Sequence, residues 1–235
     1  MKRIVDFILS KLLNNRVYFL LILLGLVFVI MSLLSPYFLN LETILGITRL
    51  GTVLLLLAMG QTLVILAGGA GIDLSVGSML SLSGVLFGLM VHNGVNIWAA
   101  SLLAIGAGAL LGSINGFTIA WIGIPPLIGT LGTMWAYGAL ALVITNGIPI
   151  SGFPAGFSFL GDGQILGIPS QILLVALPLF LVLQYVVTKT YLGRWTYLIG
   201  VNDTAARFSG VPVTRVRFSV YTLSGLLAGI GAVVM

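Results

Sequence analysis

The longest uncharged stretch of the chain lies between Asp73 and Asp162, where 88 residues include no Asp, Glu, Lys or Arg. At about 20 residues per crossing, this stretch is long enough for several membrane-spanning helices. Only 6% of the 235 residues are charged, against about 25% in ordinary soluble domains. The apolar runs are continuous rather than alternating, which favours helices over a barrel. The sequence therefore predicts an all-α, polytopic transmembrane helical bundle.

Turn-forming residues divide the chain into about seven spans within a single transmembrane domain that covers residues 1–235. The expected spans are 17–34, 50–67, 74–91, 97–121, 127–145, 172–187 and a last span that begins at Phe218.

Charge and span parity predict the orientation of the bundle. Six spans separate residues 1–16 from residues 188–217, so both segments lie on the same side, and together they hold nine of the ten basic residues. By the positive-inside rule that side, including the N-terminus, is cytoplasmic. The Gly-, Pro- and Ser-rich loop 146–171 is then periplasmic or extracellular.

Several function classes lack the residues that they need. The chain has no Cys, a single His and no GxSxG or HExxH motif, so we expect no Cys nucleophile, no Ser-His-Asp triad and no His-based metal site. The basic residues are scattered and form no stripe that could follow phosphates, so no nucleic-acid partner is expected. We expect no catalytic residues, no metal and no cofactor in this chain.

The segment GGAGIDLSVGS at 68–78 places Asp73 between two apolar runs, where an ionised carboxylate is costly. Two compatible roles are open. Asp73, followed by Ser75, could cap the third helix by accepting hydrogen bonds from its first N–H groups. Alternatively, Asp73 could control a gate or substrate path, with Gly71 and Gly77 leaving room for bent backbone.

A short helix is expected in the polar segment 188–217. Asn202 is typical of an N-cap, the helix covers 203–209, and Gly210 stands at the position where helices end with positive φ. This helix could be a solvated loop element. Its apolar side, formed by Ala205, Ala206, Phe208 and Val211, favours a partner surface instead.

Small residues recur four positions apart and predict close helix packing. These positions are Gly84 and Gly88, then Gly108, Gly112 and Gly116, and finally Gly225 and Gly229.

Four segments, in this order and spacing, resemble the permease subunits of bacterial ATP-binding-cassette importers for ribose and related sugars, which include autoinducer-2 importer permeases. They are GGAGIDLSVGS at 68–78, INGFTIAWIGIPPLIGTLGTM at 114–134, TKTYLGRWTYLIGVNDTAARFSGVPVTRVR at 188–217 and YTLSGLLAGIG at 221–231. Residues 204–210 resemble the EAA-x-x-x-G coupling loop of importers. Thr204 stands where that motif has Glu.

The resemblance implies a multi-pass subunit of the bacterial inner membrane that pairs with a second permease, identical or different. A substrate-binding protein would deliver the sugar, and two cytoplasmic ATPase subunits would bind and hydrolyse ATP. The residues implied in ATPase coupling are Asn202, Asp203, Thr204, Ala205, Ala206, Arg207 and Gly210. The family also has further C-terminal spans, so we expect the chain to be truncated at Met235.

Polar and aromatic side chains inside the spans are suited to a sugar path, because sugars bind through hydrogen bonds and aromatic stacking. Each of them could instead make interhelical hydrogen bonds. These residues are Gln61, Asn115, Thr118, Thr130, Thr133 and Trp135.

Two other functions stay open on the sequence. A secondary transporter driven by an ion gradient would need titratable groups near the midplane, where Asp73 is the acid available. A purely structural subunit of a larger membrane complex would have no nucleotide-linked activity.

Overall fold

The structure is a computed structural model that describes residues 15–69, 71–153 and 157–235. The expected cytoplasmic segment 1–16 therefore lies outside the described residues, except for its last two positions. The chain divides into two compact units, Met1–Ile47 and Thr48–Met235.

In the first unit, helix α1 covers Arg16–Leu34. Asn15 caps it, because its side-chain oxygen accepts a hydrogen bond from the Val17 N–H at 3.0 Å. The helix is apolar on all sides and none of its side chains is buried, as expected for a span that faces lipid. The first span is therefore confirmed as a long apolar helix.

Helix α2 covers Leu41–Leu66, beginning in the first unit and continuing into the second. The expected start at residue 50 is wrong. Asn40 Oδ1 accepts from the Glu42 N–H at 3.4 Å, so the connector that we expected at 35–49 is helical from Leu41 onward. Two charged residues seven positions apart, Glu42 and Arg49, do not stop a helix, and Glu42 stands in the first turn, where the helix dipole favours an acid.

The second unit is also helical. Its elements are α3 (Val76–His92), α4 (Ile97–Phe117, continued by a π-helical turn, Thr118–Ile122), α5 (Pro126–Thr145), α6 (Ser158–Asp162), the antiparallel pair β1 (Gln164–Ile165) and β2 (Ile168–Pro169), a π-helical turn at Ile172–Ala176 that leads into α7 (Leu177–Lys189), α8 (Tyr191–Val201), α9 (Asp203–Phe208) and α10 (Val213–Val234).

The helices confirm an all-α, polytopic membrane bundle. Within the described residues, six helices are long and apolar enough to cross a membrane. They are Arg16–Leu34, Leu41–Leu66, Ile97–Ile122, Pro126–Thr145, Ile172–Lys189 and Val213–Val234. Helix α3 is also apolar but has 17 residues, which corresponds to about 25 Å of helix. It begins at Val76 rather than at residue 74, because Leu74 and Ser75 form a turn beside Asp73.

The polar segment 188–217 contains more helix than we expected. Helix α8 was not anticipated, and α10 begins at Val213 rather than at Phe218. Thr190 caps α8 by accepting from the Gly193 N–H at 3.4 Å. The charged Arg215 and Arg217 lie inside α10, so the helix extends beyond the strictly apolar residues.

Helices α4 and α10 cross at the expected glycines. A Cβ atom on Gly112 would lie 2.9 Å from Gly225 Cα, and one on Gly108 would lie 2.8 Å from Gly229 Cα. Both distances are too short for a real side chain, so the glycines are what lets the two backbones touch. This crossing places the polar residues of α10 against the loop between α2 and α3.

Candidate functional site: a buried acidic loop and a short exposed helix

The connector between α2 and α3, described at residues 67–69 and 71–75, is called the Asp73 loop below. Gly68 and Gly69 both adopt positive φ, at +66° and +64°, which reverses the chain after α2. Gly71 N–H then donates to the Gly68 carbonyl at 3.0 Å. A Cβ on Gly71 would lie 2.9 Å from that carbonyl oxygen and would also collide with the Val64 carbonyl. The loop therefore folds back tightly toward α2.

The Asp73 carboxylate is 3% exposed and accepts hydrogen bonds from two elements. Its Oδ1 accepts from the Ser75 N–H at 3.0 Å and from the Ser75 hydroxyl at 2.6 Å. Its Oδ2 accepts from the Ser224 hydroxyl of α10 at 3.4 Å. Three donors offset part of the cost of burying a carboxylate, and they fix its position at the start of α3.

Ser75 connects the Asp73 carboxylate to α4 through hydrogen bonds. Its hydroxyl donates to Asp73 and accepts from Asn115 Nδ2 at 2.7 Å. Asn115 and Ser75 are both completely buried. The other amide atom, Asn115 Oδ1, has no hydrogen-bond partner among the described residues. It can still accept a hydrogen bond from a hydroxyl group that enters here.

Two further residues expected along a substrate path hold the backbone of the same loop. With its amide oriented to satisfy both groups, Gln61 donates to the Asp73 carbonyl and accepts from the Asp73 N–H, each at 3.2 Å. Thr130 of α5 donates to the Ile72 carbonyl at 3.3 Å and to the Pro126 carbonyl at 2.8 Å. Gln61, Asn115 and Thr130 are thus brought together around Asp73.

Thr118 and Thr133 lie one turn from Asn115 and Thr130, to whose carbonyls they donate, and have no hydrogen bond to the Asp73 loop itself among the described residues. Thr118 and Thr133 donate to backbone carbonyls on their own helices, at 2.9 and 3.2 Å. Trp135 is 71% exposed, with its side chain outside the packed part of the unit. Gly77 lies inside α3, and a Cβ there would meet nothing within 4 Å, so only Gly71 of the two flanking glycines is required by the bend.

A cavity of about 800 Å³ lies between the middle of α3, the ends of α5 and α10 and the loop after α5. Its lining is mainly apolar and includes Phe87, Ile150 and Phe153. Of the residues expected along a substrate path, none lines this cavity in the described part of the chain.

Helix α9 has the capping that the sequence predicts. Asn202 Oδ1 accepts from the Ala205 N–H at 3.0 Å, and Gly210 ends the helix with φ +80°. The expected apolar side is divided between two environments. Ala206 is 4% exposed and Val211 is also buried, because both pack against the protein's own core, whereas Phe208 is 89% exposed. Among the coupling residues implied by the resemblance, Thr204 and Ala205 also face outward.

Asp203 joins α9 to α10 through an ion pair. Its Oδ2 accepts from Arg217 Nη2 at 3.1 Å, and its Oδ1 accepts from Arg207 Nε at 3.1 Å. Arg207 lies one turn along the same helix and is half exposed, whereas the Arg217 side chain is 18% exposed. The pair with Arg217 is therefore the one that connects two elements.

Sequence reasoning missed Ser224, Arg217 and Gly200. Ser224 is a single hydroxyl among small residues, and Arg217 was counted only as a cytoplasmic charge. Gly200 packs against the Asp73 loop, since a Cβ on Gly68 would lie 2.7 Å from Gly200 Cα. For Ser224 the signal available was its place next to Gly225 in YTLSGLLAGIG.

Apolar helices that enclose a buried polar loop, beside a short capped helix, define a polytopic membrane protein with an internal polar network. The chain belongs to the family described as branched-chain amino acid transport system / permease component, whose model matches residues 43–235. It is a multi-pass protein of the bacterial inner membrane.

Several relatives are import permeases. The chain is 42% identical over 209 residues to the ribose import permease protein RbsC of Bacillus subtilis, which is 88% of this chain and 64% of that protein. It is 36% identical to the RbsC protein of Escherichia coli K12, over 87% of this chain and 64% of that protein. It is 37% identical to the autoinducer 2 import system permease protein LsrD of Yersinia enterocolitica, over 70% of this chain and 51% of that protein.

The chain thus spans about two thirds or less of the length of these curated relatives. No solved structure matches it at a significant level.

Proposed function

We propose that this chain is a membrane-spanning subunit of an ATP-driven importer that forms the translocation path for a sugar, ribose-like or autoinducer-2-like. The observation that carries the proposal is the similarity to ribose and autoinducer-2 import permeases over most of the chain. The organisation of the second unit supports it, because a polar network inside the bundle lies next to an exposed short helix.

The surface that docks the ATPase is the outward side of α9. It presents Thr204, Ala205 and the large apolar side chain of Phe208, and the exposed Val201 at the end of α8 precedes it. Fully exposed apolar side chains on a rigid, capped helix are favourable once a partner groove covers them. Ala206 supports this surface from behind. The α8–α9 end of the bundle is cytoplasmic, in agreement with its basic residues.

The sugar path runs past Asp73. Gln61, Asn115 and Thr130 supply amide and hydroxyl groups around the Asp73 loop, and Asn115 Oδ1 retains a free acceptor among the described residues. Sugar hydroxyls are matched by such groups. The Asp73 loop then both caps the start of α3 and forms part of the sugar path, so Asp73 has both of the roles that the sequence left open.

The other partners follow from this function. A second permease, identical or different, completes the membrane part, and a substrate-binding protein delivers the sugar from outside. ATP is bound and hydrolysed by separate ATPase subunits, so this chain carries no cofactor and catalyses no reaction itself.

Uptake by the full-length protein in proteoliposomes tests this function. The complete complex, loaded with ATP inside and supplied with binding protein and sugar outside, should take up sugar after ionophores have collapsed all ion gradients. Uptake that needs an ion gradient and no ATP would contradict the proposal and favour a secondary transporter. A protein that supports neither would be a structural subunit.

A further inference from the structure

Arg217 contacts two separate parts of the second unit through one guanidinium group. Its Nη2 lies 3.1 Å from Asp203 Oδ2 on α9. The same nitrogen would lie 2.7 Å from a Cβ atom placed on Gly69, so it rests directly against the Asp73 loop. The absence of a side chain at Gly69 is what leaves space for the guanidinium.

The Asp73 loop also contacts the end of α8, backbone against backbone. A Cβ on Gly68 would lie 2.7 Å from Gly200 Cα, and one on Gly200 would collide with the Leu66 carbonyl. Only two residues separate Gly200 from α9, which begins at Asp203. The loop that holds Asp73 therefore touches the end of α8 through glycine backbone, and Arg217 of α10 connects it to α9.

Helix α10 contacts the Asp73 loop at a second point, deeper in the bundle. Arg217 and Ser224 are seven residues apart, which is two helical turns on one face and about 10 Å along the axis. Arg217 meets the loop at Gly69, and Ser224 meets it at Asp73 through the 3.4 Å hydrogen bond. One face of α10 thus contacts the Asp73 loop near its beginning and near its end.

We propose that Arg217 is a positioning residue that fixes α9 against the Asp73 loop, so that a displacement of α9 shifts the loop. The proposal rests on the proposed function for the identity of the partner that displaces α9, namely the ATPase. Arg207 has no such role, although it pairs with the same carboxylate, because it lies on α9 itself and half in solvent. An exposed pair within one helix contributes little to geometry.

The position of α9 can be measured without any partner. The chain contains no Cys, so spin labels attached at Ser209→Cys and Leu74→Cys report the distance between the end of α9 and the Asp73 loop in the full-length, detergent-solubilised protein. The unsubstituted Arg217 background and the matched control Arg207→Gln should give one narrow distance distribution. Arg217→Gln and Asp203→Asn should broaden or shift it, and Arg217→Lys, which keeps the charge, should restore most of it.

A distribution that is the same in Arg217→Gln as in the unsubstituted background would overturn the proposal. Size-exclusion profiles identify any variant that fails to fold, and Asp203→Asn then provides the decisive comparison, since it removes the same pair from the other side. This measurement is valid whether or not an ATPase binds, so it separates failure of the inference from failure of the proposed function.

A second measurement concerns coupling in the complete complex. Arg217→Gln should still capture the ATPase, since the exposed side of α9 is unchanged, but sugar uptake per ATP hydrolysed should fall by about threefold or more. Arg215→Gln, which removes an exposed arginine two residues away on the same helix, should leave this ratio unchanged. An unaltered ratio in Arg217→Gln, with capture retained, would contradict a role for Arg217 in coupling.

Discussion

Asp73 and Ser224 are 151 positions apart in the sequence, yet the Ser224 hydroxyl donates to Asp73 Oδ2 across 3.4 Å. The contact is possible because Gly60 of α2 packs on Ser224, where a Cβ on Gly60 would lie 3.0 Å from Ser224 Cα. The acidic loop is therefore held between α2 and α10 as well as at the start of α3. Its position depends on the packing of three helices.

Asp73→Ala should reduce uptake more than it reduces the amount of folded protein. The substitution leaves the Ser75 and Ser224 hydroxyls without their common acceptor and removes the hydrogen bond that ties Asp73 to α10. Uptake per folded molecule, measured in the full-length protein against membrane abundance, checks this. Asp73→Asn is the matched control, because its amide oxygen can still accept from Ser75, and it should retain more folded protein than Asp73→Ala. A proportional fall in uptake and abundance would make Asp73 a structural cap only.

Ser75→Ala should lower the free energy of unfolding by about 1–3 kcal/mol, because it removes the buried acceptor of Asn115 Nδ2 and one of the three hydrogen bonds to the Asp73 carboxylate. Ser78→Ala is the control on the next turn. The Ser78 hydroxyl only donates back to the Ser75 carbonyl at 2.9 Å, so its loss should cost less than about 0.5 kcal/mol. Unfolding of the purified protein in detergent compares the two, and equal effects would rule out a special role for the Ser75 hydroxyl.

Gly112→Ala should destabilise the protein by about 1–3 kcal/mol, since the added methyl group collides with the α10 backbone. Gly106→Ala on the same helix provides the comparison, because a Cβ there meets nothing within 4 Å. That change should be neutral or stabilising by up to about 1 kcal/mol, as Ala favours helix over Gly. Thermal unfolding compares the two variants. If Gly112→Ala proved as stable as Gly106→Ala, the result would contradict the α4–α10 crossing.

The sequence predicts the helices well wherever a local signal exists. The cap at Asn202 and the positive φ at Gly210 depend on a few neighbouring residues, and both are confirmed. Helix boundaries were missed where charge suggested a loop. Helix α8 carries Arg194, and α10 begins with Arg215 and Arg217 in its first two turns, although charged residues are compatible with helix outside the lipid.

The partners of the polar side chains could not be predicted in the same way. That Asn115 bonds to Ser75 depends on how α3 and α4 pack, which no local pattern records. The apolar side assigned to α9 was wrong for Ala206 for the same reason, since the protein's own core covers it. Trp135, expected along the path, is exposed. This could not be predicted, because helix periodicity alone does not say which neighbour a face meets.

The orientation of the bundle can be tested with single Cys residues in the full-length protein. Cys at Thr204 on α9 should react with an impermeant thiol reagent only after the membrane is opened, because the positive-inside rule assigns its side, with nine of the ten basic residues, to the cytoplasm. Cys at Gln164, exposed on β1, should react in intact cells. Labelling of the Thr204 site from outside would reverse the assigned topology.

Capture of the ATPase subunits by the full-length protein tests most directly whether an ATPase binds the outward side of α9, as proposed. Phe208→Asp places a charge where a groove should cover an aromatic ring, and should reduce capture at least tenfold with unchanged membrane abundance. Leu166→Asp is the matched control, because Leu166 is 97% exposed but lies in the turn between β1 and β2, within the loop assigned to the outer side. Capture should be lost in Phe208→Asp and retained in Leu166→Asp, and equal capture by both variants would contradict the account.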